Sequence, residues 1–361
     1  MKNNKYYRKQ NPVFPLGTSV NYNENKLPFS GKPIDVGSKL TRVVMDLKTS
    51  KPLKIGELKL SQKIGGKGEG TAYKCNIQDK VCKIYHPNNI TNFRLMKLLE
   101  MQRRKIKIKG VCWPEEILYY NKHFVGYLMN EAKGYELQTS VMNPMVIRDK
   151  FPQWERKELV SLCLSILRIV KELHLSNIII GDLNATNILV NNFNNIYFID
   201  CDSFQIMDYP CPVGTPYFTP REIQEKKYST FLRTKEHDMF AVTTLMFMIL
   251  FLGKPPYSCK GGGSPVENIK NGNFPYKFND RRGDDTPDGP WKFIWNNLPR
   301  KLKEIFEDCF AKNQRPTIKE LERVLVEYSI MLEKKFGGSN ELLPTKNKVV
   351  PKHILDKYKN K

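Results

Sequence analysis

Four groups of residues suited to phosphate chemistry follow one another along the sequence. A glycine-rich segment at 64–72 can bring backbone N–H groups close to phosphates. Lys83 lies in the apolar run V-C-K-I, where burying an ammonium is costly unless an anion accompanies it. Asp182 and Asn187 lie in G-D-L-N-A-T-N, and the two carboxylates of I-D-C-D at 199–202 can face one cation. Mg²⁺ bound to phosphates needs only one or two protein carboxylates, so the residue types indicate phosphate and Mg²⁺ chemistry.

Each of these signals has a simpler interpretation when it is taken alone. A glycine-rich turn is most often a plain hairpin, and Lys83 can face water from an edge strand. The segment 182–187 can be an Asx-rich turn between a helix and a strand. The order and spacing of the four signals together favour a common site.

This order and spacing resemble those of the eukaryotic-type protein kinase superfamily over residues 58–330. The four segments are similar, in turn, to G-x-G-x-x-G-x-V, V-A-I-K, H-R-D-L-x-x-x-N and D-F-G. The motifs G-D-L-N-x-x-N and I-D-x-D-S-F-Q, with W-P-E-E at 113–116 and G-Y-L-M at 126–129, resemble a divergent bacterial branch of Ser/Thr kinases. The resemblance implies an α+β, bilobal fold: a small β-rich N-lobe with one main helix and a larger, mostly helical C-lobe.

The resemblance also implies a reaction, the transfer of the γ-phosphoryl group of Mg-ATP to a Ser or Thr hydroxyl of a protein. ATP and Mg²⁺ are the implied cofactors. Asp182 would position the acceptor hydroxyl and take its proton, and Lys83 would bind the α- and β-phosphates. The family pairs this lysine with a helix glutamate. Glu100 is the expected partner, with Gln102 and Glu115 as competing registers.

The implied metal ligands are Asn187 and the aspartates of I-D-C-D. Asp200 lies 13 residues after Asn187, the spacing expected of the aspartate in D-F-G. The register that makes Asp202-Ser203-Phe204 the motif stays open, and Asp202 is therefore kept as a metal ligand.

The resemblance further implies a nucleotide-binding surface on the N-lobe. Met129 would be the gatekeeper, and the hinge at 130–132 would reach the adenine. The implied nucleotide-binding residues are Ile64, Gly65, Gly66, Gly68, Gly70, Ala72, Val81, Lys83, Met129, Asn130, Ala132 and Leu189.

Six residues depart from the family pattern, and two of them, Cys201 and Asp202, stand where D-F-G has its Phe and Gly. Lys67 takes the place of the second glycine, and Ala72 replaces the valine that covers the adenine. Asn184 replaces a lysine that commonly contacts the transferred phosphate, and Gly181 an arginine that reads a phosphorylated activation loop. Switching through such phosphorylation is therefore not expected. A pseudokinase that binds nucleotide or a partner without efficient transfer is the alternative from a different class.

Three features further along the chain favour a protein kinase over a small-molecule kinase. The segment G-T-P-Y-F-T-P-R-E at 214–222 resembles the segment that docks a peptide substrate. Glu222 would form a buried ion pair with Arg315, and Asp238 would bind the backbone of the catalytic loop. Small-molecule phosphotransferases usually lack all three features.

The amino-acid composition changes along the chain. Its polar first part predicts a disordered arm that contains a short helix at 39–47. Residues 258–290, rich in Gly, Pro and Asp, predict a loop region. The predicted units are a basic arm at 1–55, an N-lobe at 56–132, a C-lobe at 133–335 and a basic tail at 336–361.

The net charge of +22 first suggests a nucleic-acid or acidic-membrane partner. Residues 1–60 carry 12 basic and 4 acidic side chains, and residues 334–361 carry 8 and 2, so these segments hold +14 of the total. No nucleic-acid-binding motif accompanies the charge, which leaves such binding as a further alternative. The expected partners are a protein substrate and an acidic partner or membrane surface for the basic segments. Eight scattered cysteines and apolar runs too short to span a bilayer predict a reduced, cytoplasmic protein without a transmembrane segment.

Overall fold

The computed structural model describes residues 20–46, 49, 51–276, 285–335 and 339–345. Residues 1–19 of the predicted arm, residues 346–361 of the predicted tail and residues 277–284 of the predicted loop region lie outside the described residues. Within the described part, no helix is long and apolar enough to cross a membrane.

The N-lobe is a six-stranded antiparallel barrel with one helix against it. Its strands are β1 (Lys39–Asp46), β2 (Lys51–Lys67), β3 (Gly70–Cys75), β4 (Lys80–Tyr85), β5 (Glu116–Tyr120) and β6 (His123–Asn130). They pair in the order β1-β2-β3-β4-β6-β5, and β1 closes the barrel by pairing with β5. The α+β, bilobal architecture expected from the motifs is therefore confirmed.

Strand β1 overturns the helix predicted at 39–47. Its residues pair with β2 on one side and β5 on the other, and Leu40 and Val43 are buried. Arg42 donates from Nη1 to both carboxylate oxygens of Glu116, at 3.1 and 3.0 Å. The prediction failed because a short amphipathic run is compatible with both the helical and the strand period. Here the segment is a strand because it can pair with both β2 and β5. The N-lobe thus begins before residue 56, inside the predicted arm.

Helix α1 (Asn92–Arg104) lies between the barrel and the C-lobe. Thr91 caps it, as its side chain accepts a hydrogen bond from Arg94 N at 3.3 Å. Gln102 holds its far end to β1: its amide accepts from Met45 N at 2.7 Å and donates to Val43 O at 3.1 Å.

The C-lobe is mostly helical, with three short strand pairs near the interface between the lobes. Its helices are α2 (Val146–Lys150), α3 (Arg156–Leu175), α4 (Lys235–Leu250), α5 (Pro265–Asn271), α6 (Trp291–Asn297), α7 (Arg300–Phe310) and α8 (Ile318–Glu333). Its strands are β7 (Tyr135–Glu136), β8 (Ile178–Ile179), β9 (Ile188–Asn192), β10 (Asn195–Phe198) and β11 (Gln205–Ile206). Helix α4 is apolar on nearly all sides and buried, as expected of a core helix. Helix α5 lies in the segment predicted to be a loop.

Residues 339–345, within the predicted tail, pack against the start of α3. Arg156 is fully buried, and its guanidinium donates to the carbonyls of Glu341, Leu342 and Leu250. Because a buried guanidinium needs hydrogen-bond acceptors and two of its three come from residues 341 and 342, this part of the tail belongs to the folded domain.

Candidate active site

Five of the predicted nucleotide-binding residues share one face of the sheet, namely Gly65, Ala72, Val81, Lys83 and Met129. Gly66 and Asn130 pair with Thr71 and Lys80, one position along the strands, and therefore point to the other face. Gly65 pairs with Ala72, Ala72 with Lys83, and Lys83 with Tyr127. Directly paired residues of antiparallel strands point to the same side, so these residues form a row across β2, β3, β4 and β6. Val81 and Met129 pair in the same way two positions away along β4. The hinge at 130–132 continues from β6.

The glycine-rich segment forms the predicted strand–turn–strand. Gly68 has φ of +64° in the turn, a conformation that side-chain-bearing residues rarely adopt. At Gly70 an added Cβ would lie 2.5 Å from the carbonyl oxygen of Ile84. Only glycine therefore allows β3 to approach β4 this closely at the mouth of the hairpin.

Lys83 contacts both aspartates of I-D-C-D. Its ammonium binds Asp200 and lies 2.8 Å from Asp202 Oδ1. Burial alone lowers the pKa of Lys83, but the charges of Asp202 and Asp200 outweigh it and raise the pKa above the usual lysine value. Lys83 is therefore protonated. The anions expected beside a buried lysine are Asp200 and Asp202.

The predicted Lys83–Glu100 ion pair is wrong. Glu100 binds its helix neighbours instead: Arg103 at 2.5 Å and Arg104 at 3.4 Å. The buried face of α1 includes Phe93, Lys97, Leu98 and Met101, and Glu100 lies beside that face.

The two competing registers are also engaged elsewhere. Gln102 binds β1, and Glu115 binds Lys80. No spacing in α1 could have excluded Glu100, because it lies three residues after the buried Lys97 and residues three apart share a helix face.

Asp202 is a buried carboxylate bound by protein donors, and its role as a metal ligand stays a prediction. Its side chain is 2% exposed, and four donors occupy its two oxygens. Lys83 and Tyr127 donate to Oδ1 at 2.8 and 2.7 Å, while Tyr85 and Arg94 donate to Oδ2 at 2.7 and 3.5 Å. Burial by itself raises the pKa of Asp202. The positive charges of Lys83 and Arg94 outweigh burial, so the pKa lies below the usual range for an aspartate. The carboxylate is thus ionised, and it could bind a metal only by giving up these contacts.

Asp200 has the opposite character, with a side chain that is 39% exposed. Its backbone is left-handed, with φ of 61° and ψ of 31°, an uncommon conformation for a residue other than glycine. Such conformations cluster at functional sites, where the surrounding structure enforces them. Ile199 N donates to Asn187 O at 2.9 Å, so two of the predicted metal ligands, Asn187 and Asp200, lie on adjoining segments.

The catalytic-loop residues are linked to the segment that precedes Glu222. Thr215 Oγ1 donates to Asp182 Oδ1 at 2.9 Å and accepts from Asn184 Nδ2 at 3.2 Å. Asn187 Nδ2 donates to the backbone oxygen of Asp182 at 3.3 Å. Asp182, Asn187 and the predicted peptide-docking segment are therefore one connected unit.

Two predicted supports of this unit are confirmed. Asp238 accepts hydrogen bonds from Ile180 N at 2.7 Å and Gly181 N at 2.8 Å, and it also binds His174. Arg315 Nη2 lies 3.0 Å from Glu222 Oε1. That pair is only half-buried, because the side chain of Glu222 is 37% exposed.

Arg233 is a site residue that the sequence motifs do not reveal. It is 2% exposed, donates to Val213 O at 2.6 Å, and its guanidinium carbon lies 4.3 Å from the ring centre of Tyr228. At Gly181 an added Cβ would lie 2.9 Å from Arg233 Nη1 and 2.5 Å from Cys211 Cβ. Arg233 thus lies beside the residue at which the family pattern has an arginine.

Among the described residues, no three His, Cys, Asp or Glu side chains are grouped as a metal site. The predicted pair fits a different kind of site. Asn187 and Asp200 together offer one amide and one carboxylate, and Mg²⁺ is commonly held by one or two carboxylates with substrate phosphates and waters completing its shell. The donor set therefore suits a metal that arrives with a nucleotide.

A family model for the protein kinase domain matches residues 61–324, well over half of the chain. This chain belongs to the protein kinase family. Protein kinase YegI of Escherichia coli (strain K12) is 29% identical over 285 residues, which cover 73% of this chain and 44% of that protein. Calcium-dependent protein kinase 5 of Plasmodium berghei (strain Anka) is 24% identical over 295 residues, which cover 78% and 45%. This kinase chain matches less than half the length of each of these relatives.

Proposed function

We propose that this chain is a Ser/Thr protein kinase that uses Mg-ATP. The observation that carries the proposal is the hydrogen bond from Thr215 to Asp182, which joins the expected base to the expected peptide-docking segment. The pairing of Arg315 with Glu222 and the binding of Asp238 to the catalytic loop support a protein acceptor. The named relatives are protein kinases, which favours the same class of activity.

Mg-ATP would supply a transferable γ-phosphoryl group. The residues of the chain would bind the nucleotide, orient the acceptor hydroxyl and accept its proton. Lys83 would hold phosphate oxygens, while Asn187 and Asp200 would hold the metal. Asp182 would orient the acceptor hydroxyl and take its proton as the hydroxyl oxygen bonds to the γ-phosphorus, the bond from that phosphorus to the β–γ bridging oxygen breaks, and ADP leaves. Asn184, where the pattern has a lysine, leaves one cation fewer beside Asp182 and predicts a slower reaction.

A second candidate function is nucleotide binding without efficient transfer. The observation that favours it is the engagement of Lys83 with two carboxylates, Asp200 and Asp202. For Lys83 to serve a phosphate, it must share its ammonium between these carboxylates and the ligand.

The test is phosphoryl transfer from [γ-³²P]ATP to casein and to the chain itself, with Mg²⁺ present or replaced by a chelator. We expect incorporation into Ser and Thr that falls at least about 100-fold in Asp182→Ala, the usual effect of losing a general base. Undiminished transfer by Asp182→Ala, or label only on Tyr, would contradict the proposal. A thermal shift with Mg-ATP but no transfer would support the second candidate.

A further inference from the structure

Four charged side chains of alternating sign connect β4 with the glycine-rich turn. Lys83 binds Asp202 Oδ1 at 2.8 Å, and Arg94 of α1 approaches Asp202 Oδ2 at 3.5 Å. Arg94 also binds Glu69, which lies in the turn between β2 and β3, at 2.5 Å. The order is therefore cation, anion, cation, anion, from Lys83 to Glu69.

The signs of these charges are the reverse of those the motifs imply. The expected arrangement has an anion on the helix as the partner of Lys83. Here α1 contributes the cation Arg94, and the anion comes from Asp202, in the segment after β10. A single carboxylate thus lies between the lysine of the sheet and the arginine of the helix.

We propose that Arg94 is a positioning residue for the reaction: it holds α1 to Asp202 and the glycine-rich turn to α1, and so sets the position of Lys83. The inference rests on the proposed function, because it assigns Arg94 a role in placing the group that would bind phosphate. It goes further by replacing the helix glutamate with a cationic helix residue and a carboxylate from another segment.

Burial strengthens the contacts of Arg94 with Asp202 and Glu69, which is what positioning Lys83 requires. The side chains of Arg94, Asp202 and Glu69 are 14%, 2% and 29% exposed, so water screens them only partly. The guanidinium carbon of Arg94 lies 4.7 Å from the ring centre of Tyr85, whose hydroxyl binds Asp202. A planar guanidinium can stack on this ring while its separate nitrogens reach two carboxylates, which a lysine ammonium cannot do.

A second cation on the same side of α1 binds the segment after Asp202. Lys97 is 2% exposed and donates to Ser203 O at 2.9 Å and to Pro210 O at 3.0 Å. Arg94 and Lys97 are three residues apart and therefore share a helix face. This face of the helix is thus cationic and is attached to Asp202 and the residues that follow it.

The backbone of the turn that carries Glu69 is also attached to the segment that connects β4 with α1. The carbonyl of Glu69 accepts from His86 N and from Asn89 Nδ2, both at 3.0 Å. The Arg94–Glu69 pair therefore reinforces an existing connection. Loss of the pair should loosen the turn over the nucleotide without unfolding the lobe.

The experiment compares Arg94→Gln, Arg94→Lys and Glu69→Gln with the matched control Arg103→Gln. Arg103 lies on the same helix, is 54% exposed, and binds Glu100. For each variant, kcat, KM for ATP and the melting temperature are measured, and the affinity for Mg-ATP is determined by calorimetry without any acceptor.

We expect Arg94→Gln to weaken Mg-ATP binding and to lower kcat/KM by about tenfold or more, as for a lost charge-assisted hydrogen bond. Arg94→Lys should recover only part of this loss, and Glu69→Gln should mainly raise KM for ATP. The double variant Glu69→Gln/Arg94→Gln should lose less than the sum of the single losses. Arg103→Gln should stay within about twofold of the unchanged chain.

The inference is overturned if Arg94→Gln and Glu69→Gln bind Mg-ATP as tightly as Arg103→Gln, or if Arg94→Gln changes only the melting temperature. Glu69→Gln decides the matter if Arg94→Gln does not fold. The calorimetric arm separates this inference from the proposed function. An unchanged chain that binds Mg-ATP but transfers nothing would refute the proposed function, while the effect of Arg94 on binding would still test the inference.

Discussion

Thr215 Oγ1 donates a hydrogen bond to Asp182 Oδ1 at 2.9 Å, across 33 residues of sequence. This contact couples the expected catalytic base to the segment that would carry a peptide substrate. Among the described residues no side chain donates to the second carboxylate oxygen, Oδ2, and under the proposed function this oxygen would meet the acceptor hydroxyl. The same threonine accepts from Asn184, so its hydroxyl has a fixed direction.

Replacing Thr215 by valine should lower kcat by about tenfold. Asp182 then loses a hydrogen bond that orients it and that contributes about 1 kcal/mol or more. Thr215→Ser keeps the hydroxyl and should retain most of the activity. Steady-state kinetics at saturating ATP measure the difference. Equal rates for the valine and serine variants would show that the hydrogen bond does not position the base.

Asp202→Asn should lower the free energy of unfolding far more than Glu100→Gln does. Removing the Asp202 charge leaves Lys83 and Arg94 buried without their shared anion, a loss of about 3 kcal/mol in the free energy of unfolding. Glu100→Gln removes only contacts between neighbours on one helix, worth about 0.5 kcal/mol. Urea unfolding of both variants measures this. A larger loss for Glu100→Gln would restore Glu100 as the partner of Lys83.

Gly181→Arg, which restores the residue of the family motif, should destabilise the chain rather than activate it. Gly181 has φ of +75°, and its added Cβ would lie 2.5 Å from Cys211 Cβ. Gly65→Ala is the control for stability, since no described atom lies within 4 Å of the corresponding Cβ. We expect a melting temperature several degrees lower for Gly181→Arg only. An unchanged melting temperature would show that the backbone accommodates the side chain.

Stability should rise with pH above neutrality through Lys97. Burial lowers the pKa of Lys97 to about 8, and the charged or titratable groups around it are Cys211, Asp202, Arg94 and Glu69. In the unfolded chain the lysine pKa is about 10.4, so between the two values the unfolded state binds more protons and the native state gains stability as pH rises.

The measurement is urea unfolding of the unchanged chain and of Lys97→Met at about pH 7.5 and about pH 9. The free energy of unfolding of the unchanged chain should gain about 1 kcal/mol relative to the variant over this interval. Parallel pH profiles for the two proteins would mean that Lys97 titrates normally in the folded state.

Much of the fold follows from local patterns in the sequence. Apolar residues recur at steps of three and four between Leu159 and Leu173, and this spacing predicts a long helix, which the structure contains as α3. Thr91 is suited to cap a helix, and the apolar run at 241–253 is typical of a buried helix; the structure contains both, as the cap of α1 and as α4. The contacts of Asp238 and the Arg315–Glu222 pair followed from the resemblance to protein kinases. Strand β1 did not, because its pairing with β5 joins segments more than 70 residues apart.

The sequence by itself determined the class of this protein and the residue types of its cleft, because the motifs, their order and their periodicity are properties of the chain. Only the tertiary structure decided which anion meets Lys83. Glu100 and Asp202 are both acidic, but packing turns one face of α1 inward and brings Asp202 to Lys83 across 119 residues. The physical reason is that a buried ion pair depends on which surfaces the whole core brings together, and no local spacing encodes that choice.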